Sequence, residues 1–342
     1  MELMDSLRHP GNASPPVGNS TLLLVPAAAN SLVVAMPLFA AFIVGITTNG
    51  LYLWVLHFKM KKTVNALLFF HLILSYFIST LIFPFMATSY LQDNHWNFGT
   101  ALCKVFHCTL SLGTYTSVFF LSAISLDRYL LTLHPVWSHQ HRTPRRASSI
   151  ILGVWIFAAL LSIPFLLFRE THSTPNGTVI CRNNYAVSPN WESEEMRALR
   201  TRVHVVCFTS RFLVGFLLPF CIITVCYWRV ALKLKEKGLV KSSKPFKVMM
   251  TAIVSFFVCW LPYHILQGLI LTQDRSVYFQ FALILTVMTT SFNTVFSPTL
   301  YLFIGENFKK VFRKSILALF ESTFSEDSFS ERTQNLNSET II

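Results

Sequence analysis

The chain has 342 residues, of which 53% are hydrophobic, 14% aromatic and only 13% charged, whereas a soluble domain carries about 25% charged residues. Together with a mean hydropathy of +0.50, this excludes a soluble globular enzyme. The formal net charge of +12 gathers largely on one face, as set out below, and so fits a membrane surface and docking partners rather than nucleic acid.

Residues 1–32 form a polar tail containing Pro and Asn, expected to be extracellular. Its first residues lack a basic region followed by an apolar stretch, so the first span is expected to act as the signal anchor. Beyond it, stretches free of Asp, Glu, Lys and Arg run over 9–58, 63–92, 105–126, 147–168, 248–273 and 276–305. A further stretch, 203–228, is broken only by Arg211. Each is long enough for a membrane helix, which needs about 20 apolar residues. A barrel would instead show alternating segments of about 10 residues.

The prediction is an all-α membrane protein, a seven-helix bundle over 33–303. Its spans lie at 33–58, 64–90, 101–133, 147–168, 203–233, 244–271 and 277–303. The stretch 169–202 is read as a long outer loop whose segment WESEEMRALRTR is solvated. After the seventh span, 304–320 places Phe308, Val311, Phe312, Ile316, Leu317 and Phe320 on one face beside Lys309, Lys310, Arg313 and Lys314. That pattern predicts a short amphipathic helix on the inner leaflet. Residues 321–342 are Ser/Thr-rich and acidic, and are expected to be a disordered cytoplasmic tail.

Cytoplasmic loops collect Lys and Arg. Three follow span one, four follow span three, seven lie from Arg229 to Lys247 and five follow span seven, leaving nine of the 28 elsewhere. The N-terminus is therefore expected outside and the C-terminus inside, in the plasma membrane. The sequons at Asn12, Asn19 and Asn176 fall on the outer side by the same assignment and are glycosylation candidates. Of seven cysteines, only two look extracellular, Cys103 opening span three and Cys181 in the long outer loop, where an oxidising compartment permits a disulfide. The others, Cys108, Cys207, Cys221, Cys226 and Cys259, read as small buried residues. No Cys/His spacing suggests a metal, and no cofactor is expected.

Asp127-Arg128-Tyr129 at the inner end of span three and Cys259-Trp260-Leu261-Pro262 in span six resemble the rhodopsin-like G-protein-coupled receptors. The pattern continues through Asn49, Cys103, Trp155, Pro219, Tyr227, Phe256, Pro298 and Tyr301. The stretch LHPVWSHQHRT after Tyr129 is similar to the second inner loop of the formyl-peptide and related chemoattractant receptors. The resemblance implies a heterotrimeric G protein, of the inhibitory class, as partner. It assigns coupling to Asp127, Arg128, Tyr129, Tyr227 and Tyr301, and switching to Pro219, Phe256, Trp260, Pro262 and Pro298. Arrestin is implied for the tail, through Ser322, Thr323, Ser325, Ser328 and Ser330 once phosphorylated. Physically, Arg128 is expected to pair with Asp127, which relieves two charges near lipid, and each proline removes a helix hydrogen bond and can kink its span.

Two departures from the pattern stand out. Tyr76 occupies the position of the family's usual Asp in span two, and Ser297 that of the Asn before the span-seven proline. No carboxylate then remains inside a span, Asp127 sitting at the inner edge, so no sodium site is expected. Arg211, eight residues before Pro219, is the one charge at bilayer depth and hence the leading candidate for ligand binding. A guanidinium there fits a carboxylate or another anion, in a peptide or an acidic lipid. His264 and Trp260 share a face of span six and are candidates to line the same pocket. Leu110 replaces the Asp of amine receptors, and Ser111 and Cys207 replace an Asp and a second Arg of formyl-peptide receptors.

The alternatives are a non-signalling decoy or scaffold, motivated by Tyr76 and Ser297, and a transporter or retinal-linked pump. No Lys lies between Lys247 and Lys309, which removes a retinal Schiff base in span seven. An enzyme is least favoured, because no nucleophile, base and orienting group can be assembled from these spans.

Overall fold

The computed structural model describes residues 27–186, 188, 193–238, 244–272, 277–301, 310–315 and 317. Asn12, Asn19 and the tail serines lie outside them. Seven helices are long and apolar enough to cross a membrane. Span one is Ala27–Trp54, closed by a π-helical turn, Val55–Lys59. Span two is Val64–Thr80, capped by the Thr63 hydroxyl, and continues after a turn at residues 81–82 as Phe83–Leu91. Pro84 starts that second piece, where a missing N–H costs nothing.

Span three, Gly99–Leu133, is the longest uninterrupted helix. A short helix, Pro135–His141, leads to span four, Pro144–Phe168. Spans six and seven are Lys244–Leu271 and Val277–Tyr301.

Two features depart from the sequence reading. Span five begins at Glu194, nine residues before 203, so most of the charged stretch read as loop is helix. Its first turn carries Glu194 and Glu195, which favour a helix N-terminus, and its exposure kept it out of an apolar count. The span then runs Glu194–Phe212, a π turn Leu213–Leu217, and Leu218–Glu236, with Pro219 immediately after the π turn. The outer loop also contains a hairpin, β1 (Arg169–Ser173) and β2 (Val179–Asn183), antiparallel with Thr171 opposite Cys181. Asn176 sits exposed at its tip.

Span three is the central post, packing on spans two, four and five and on β1. Two apolar layers stack along it. The inner layer includes Leu72, Tyr76, Val118, Phe120, Ile223, Tyr227 and Phe256. The outer layer includes Leu38, Phe83, Met86, Trp96, Phe106 and the Cys103–Cys181 disulfide. Exposed Ile150, Leu152, Ile156, Leu160 and Leu167 on span four turn outward, a face stable only against lipid. This outward apolar surface corrects the expectation for Cys221, which is exposed, while Cys226 and Cys259 are buried as expected. Phe312, in the helical piece 310–315, packs its ring 5.3 Å from Tyr52, so part of the expected amphipathic helix lies against span one.

Close approach of spans two and three depends on Gly113. A Cβ there would lie 2.0 Å from Ser79 Oγ and 3.1 Å from the Ser75 carbonyl oxygen. The Ser79 hydroxyl already donates to Ser75 O at 3.0 Å, so it can move only by giving up that bond. Gly113→Ala is expected to destabilise the purified protein by about 1–3 kcal/mol in thermal unfolding, the usual cost of overpacking. Adding Ser79→Ala should return part of the loss; a double variant no more stable than Gly113→Ala would show that the strain lies elsewhere.

Candidate functional site

The outer half of the bundle encloses a cavity of about 270 Å3. Its floor is formed by Tyr76, Phe256 and Trp260, its walls by Leu110, Ser111, Tyr115, Phe165, Phe216 and His264, and its upper rim by Arg169 and Asn183. Every residue selected from the sequence for ligand binding lines this one space: Arg211, His264, Trp260, Leu110 and Ser111. Among the described lining residues the only charged side chains other than histidine are Arg169 and Arg211, and none is Asp or Glu.

Arg211 ends the first helical piece of span five. Its Nη1 donates to Tyr263 Oη at 2.8 Å, its guanidinium carbon lies 4.7 Å from the Phe165 ring centroid, and Tyr115 is a further hydrogen-bonding neighbour. The cation is thus held by two phenol side chains and an aromatic face. None of these cancels its charge, so an entering anion could still form a charge-assisted pair. Tyr115 reaches this place because Gly215, in the π turn, has no side chain: a Cβ there would lie 2.8 Å from its ring. His264 is wedged among Phe212, Phe216 and Tyr263, with the Phe216 centroid 4.6 Å away. The buried Trp260 Nε1 has no hydrogen-bond partner.

The cavity is roofed by the hairpin, which is fastened to the bundle by a disulfide and by hydrogen bonds and is also tied across its own strands. Cys181 is bonded to Cys103 of span three, with the Cα atoms 5.8 Å apart. Closing a loop of 78 residues removes about 4 kcal/mol of chain entropy from the unfolded state. The fully buried Trp96 donates its backbone N–H to Val179 O at 2.7 Å and its indole N–H to Gly99 O at 2.8 Å. Arg169 donates from Nη1 to Cys181 O at 3.2 Å. His107 Nδ1 lies 2.8 Å from Cys103 O. Cys103, His107 and Cys181 form a compact donor group, but the two sulfurs are joined to each other and leave no thiolate to hold a metal.

Below the cavity, the interior is polar without being acidic. Asn293 Nδ2 donates to Ser297 Oγ at 2.9 Å, and Asn49 Nδ2 to Thr294 O at 3.4 Å. Tyr76 is buried in the apolar layer. Trp155 Nε1 donates to His71 Nδ1 at 3.3 Å, which ties span four to span two.

At the other end of span three the structure corrects the expected pairing. Asp127 is bound by Arg142 rather than by Arg128: Arg142 Nε donates to Oδ1 at 2.6 Å and Nη2 to Oδ2 at 3.1 Å. The same Nη2 also donates to Asn65 Oδ1 at 2.5 Å. Adjacent residues on a helix do not face each other, whereas Arg142, which caps Pro135–His141, reaches Asp127 from the side and forms a bidentate fork. Arg128 instead buries its Nε without a hydrogen-bond partner, close to Tyr227, which itself bonds Ser125. Tyr129 packs against His134 at 6.0 Å. Pro262 and Pro298 lie inside their spans, and Tyr301 ends span seven.

Arg142, Arg169, Tyr115, Tyr263 and Trp96 were not singled out by the sequence reading. Arg142 and Arg169 carried a signal, as cations next to span ends, but nothing in the spacing indicated their partners.

This architecture is that of a heptahelical membrane receptor. The family profile of the 7 transmembrane receptor (rhodopsin family) matches residues 48–301, and the chain belongs to that family. It is 72% identical over 334 residues to "Probable G-protein coupled receptor 33" of Homo sapiens, covering 98% of this chain and 100% of the relative. "Chemerin-like receptor 1" of Rattus norvegicus is 40% identical over 291 residues, covering 83% and 78%. "N-formyl peptide receptor 2" of Homo sapiens is 35% identical over 296 residues, covering 84% of each. The chain is therefore a multi-pass membrane protein related to chemoattractant receptors, and not an enzyme.

Removing Arg142 would leave Asp127, whose side chain is 12% exposed, as an unpaired carboxylate. Arg142→Gln is expected to lower stability by about 1–3 kcal/mol in thermal unfolding. Asp127→Asn in the same chain should recover part of that; an unchanged melting curve for Arg142→Gln would mean the fork contributes nothing.

Proposed function

We propose that the chain is a plasma-membrane receptor, N-terminus outside, that binds an extracellular ligand with an anionic end and activates a heterotrimeric G protein of the inhibitory class. The observation that carries this reading is the cavity containing Arg211: an anion-sized, aromatic-walled space with guanidinium groups and, among its described lining residues, no carboxylate. An amine ligand would meet like charge there, whereas a peptide carboxylate or acidic lipid would meet a fork-shaped donor. A relative named as a formyl-peptide receptor supports the same class of ligand. Formylated peptides themselves are less favoured, because Ser111 and Cys207 stand where those receptors carry an Asp and a second Arg.

Ligand binding acts by differential affinity for two arrangements of the bundle. Trp260 and Phe256, which touch both the cavity and the inner apolar layer, are placed to sense it. At the inner end, the burial of Arg128 beside Tyr227 supports a closed state in which the coupling residues are covered. Movement of spans five to seven around Pro219, Pro262 and Pro298 would uncover Arg128, Tyr227 and Tyr301 for the G protein. Once phosphorylated, the tail would recruit arrestin. The competing reading, a decoy or scaffold that never activates a G protein, draws on Tyr76 and Ser297.

Nucleotide exchange on purified inhibitory-class G protein separates the two readings. Membranes holding the chain should exceed matched membranes holding Arg128→Ala, which should fall to background; equal rates with and without an agonist would favour the decoy. For any anionic agonist, Arg211→Ala should raise the half-maximal concentration by about 30-fold or more, the usual consequence of truncating one partner of a buried charged pair, at equal surface expression. An unchanged dose-response curve would remove Arg211 from the ligand site.

A further inference from the structure

The cavity that holds Arg211 is not uniform. One half, between spans three, four, five and six, contains the guanidinium with its phenols and the Phe165 ring. The space then continues across the bundle into a second half lined by spans one, two and seven, which includes Leu38, Phe83, Met86, Thr286, Val287 and Thr290. Among the described lining residues of that half none is Asp, Glu, Lys, Arg or His. The volume of about 270 Å3 is thus drawn out from span five to span one, with its charge at one end.

The break in span two builds the second half. After the turn at residues 81–82 the helix restarts as Phe83–Leu91, and Phe83 and Met86, three residues apart, share the face that lines the cavity. Leu38 of span one belongs to the same apolar layer, and Val287 of span seven packs against that layer. The Ser and Thr residues of this half read as polar in the sequence, yet each hydroxyl is committed to its own helix. Ser79 donates to Ser75 O at 3.0 Å, Thr286 to Ala282 O at 2.7 Å, Thr290 to Thr286 O at 2.7 Å and Thr294 to Thr290 O at 3.0 Å. These side chains keep lone pairs but have no proton to give an occupant.

A cation at one end of a drawn-out apolar slot matches a molecule with one carboxylate and a hydrocarbon chain. A peptide continued into the second half would set its amide groups against this lining, and each carbonyl left without a donor would cost free energy. Methylenes gain by the same burial. We propose that the ligand of this cavity is a straight-chain aliphatic acid, its carboxylate at Arg211 and its chain in the half lined by spans one, two and seven. The proposal rests on the reading of Arg211 as the anion site and chooses the acidic lipid over the peptide.

The test measures binding of tritiated hexanoic, decanoic, tetradecanoic and octadecanoic acids to the purified full chain in nanodiscs, with uptake by empty nanodiscs subtracted. Affinity should rise by up to about fourfold per added methylene, the ~0.8 kcal/mol of a buried CH2, and level off once the second half is full. Arg211→Gln should weaken tetradecanoate by about 30-fold or more, and methyl tetradecanoate should not compete. Val287→Trp, which fills the second half, should bring the levelling to a shorter chain and leave hexanoate within about twofold; Leu38→Trp tests the same from another helix. Hexanoate and tetradecanoate bound equally through Arg211 would overturn the proposal while leaving the anion site standing. So would a tripeptide with a free C-terminal carboxylate that binds through Arg211 more tightly than tetradecanoate. A rise with chain length that persists in Arg211→Gln and in the methyl ester means partition alone and overturns it as well. Absence of any Arg211-dependent binding would remove both the proposal and the reading beneath it.

Discussion

Charge inside a bilayer must be paired, hydrogen-bonded or put to use, and with so few charges in its spans this chain makes the accounting short. Arg211 is satisfied by Tyr263, Tyr115 and the Phe165 ring, without a carboxylate. That choice shapes the outer bundle. The π turn of span five and Gly215 bring Tyr115 under the guanidinium, span four contributes Phe165, and span six contributes Tyr263. A buried acid at Arg211 would have given a tighter internal pair and a cavity with no field for a ligand to use. Aromatic groups hold the cation in place and leave its charge available.

Span three can connect the two ends because it is uninterrupted and packs on spans two, four and five and on the hairpin. Its outer end is bonded to the hairpin roof, its middle is pressed against span two at Gly113, and its inner end offers Asp127 to the neighbouring loop. Around it stand the broken elements: span two at residues 81–82, span five at the π turn, and spans six and seven around internal prolines. A rigid post among jointed helices is a workable geometry for coupling distant ends, since the joints supply discrete alternative arrangements.

The spans were legible because lipid imposes a length and forbids charge, and both constraints are written directly in the order of residues. Helical spacing put Trp260 and His264 on one face of span six, and the distance from Arg211 to Pro219 set its depth; all three line one cavity. What stayed hidden belongs to the watery edges. The Glu194–Arg202 turns are helical but polar, so a search for apolar runs passed over them. The hairpin draws its stability from a disulfide and from Trp96 rather than from alternating apolar residues. The partner of Asp127 was misassigned because adjacency in sequence stood in for adjacency in space. Arg142 comes fifteen residues later and approaches from a different element.

The Arg142 fork also sets the electrostatic character of the basic face. Asp127 and Glu236 are the acidic residues described there, and each is bound to a cation, Arg142 and Lys233 respectively. With both carboxylates neutralised locally, Arg145, Arg146, Lys235 and Lys237 project a field of one sign. A partner bearing acidic residues is then drawn in from beyond contact distance, so its encounter rate should fall with rising ionic strength even where the final contacts are apolar. Internal pairing of two acids near the membrane thereby governs how quickly a soluble protein finds this surface.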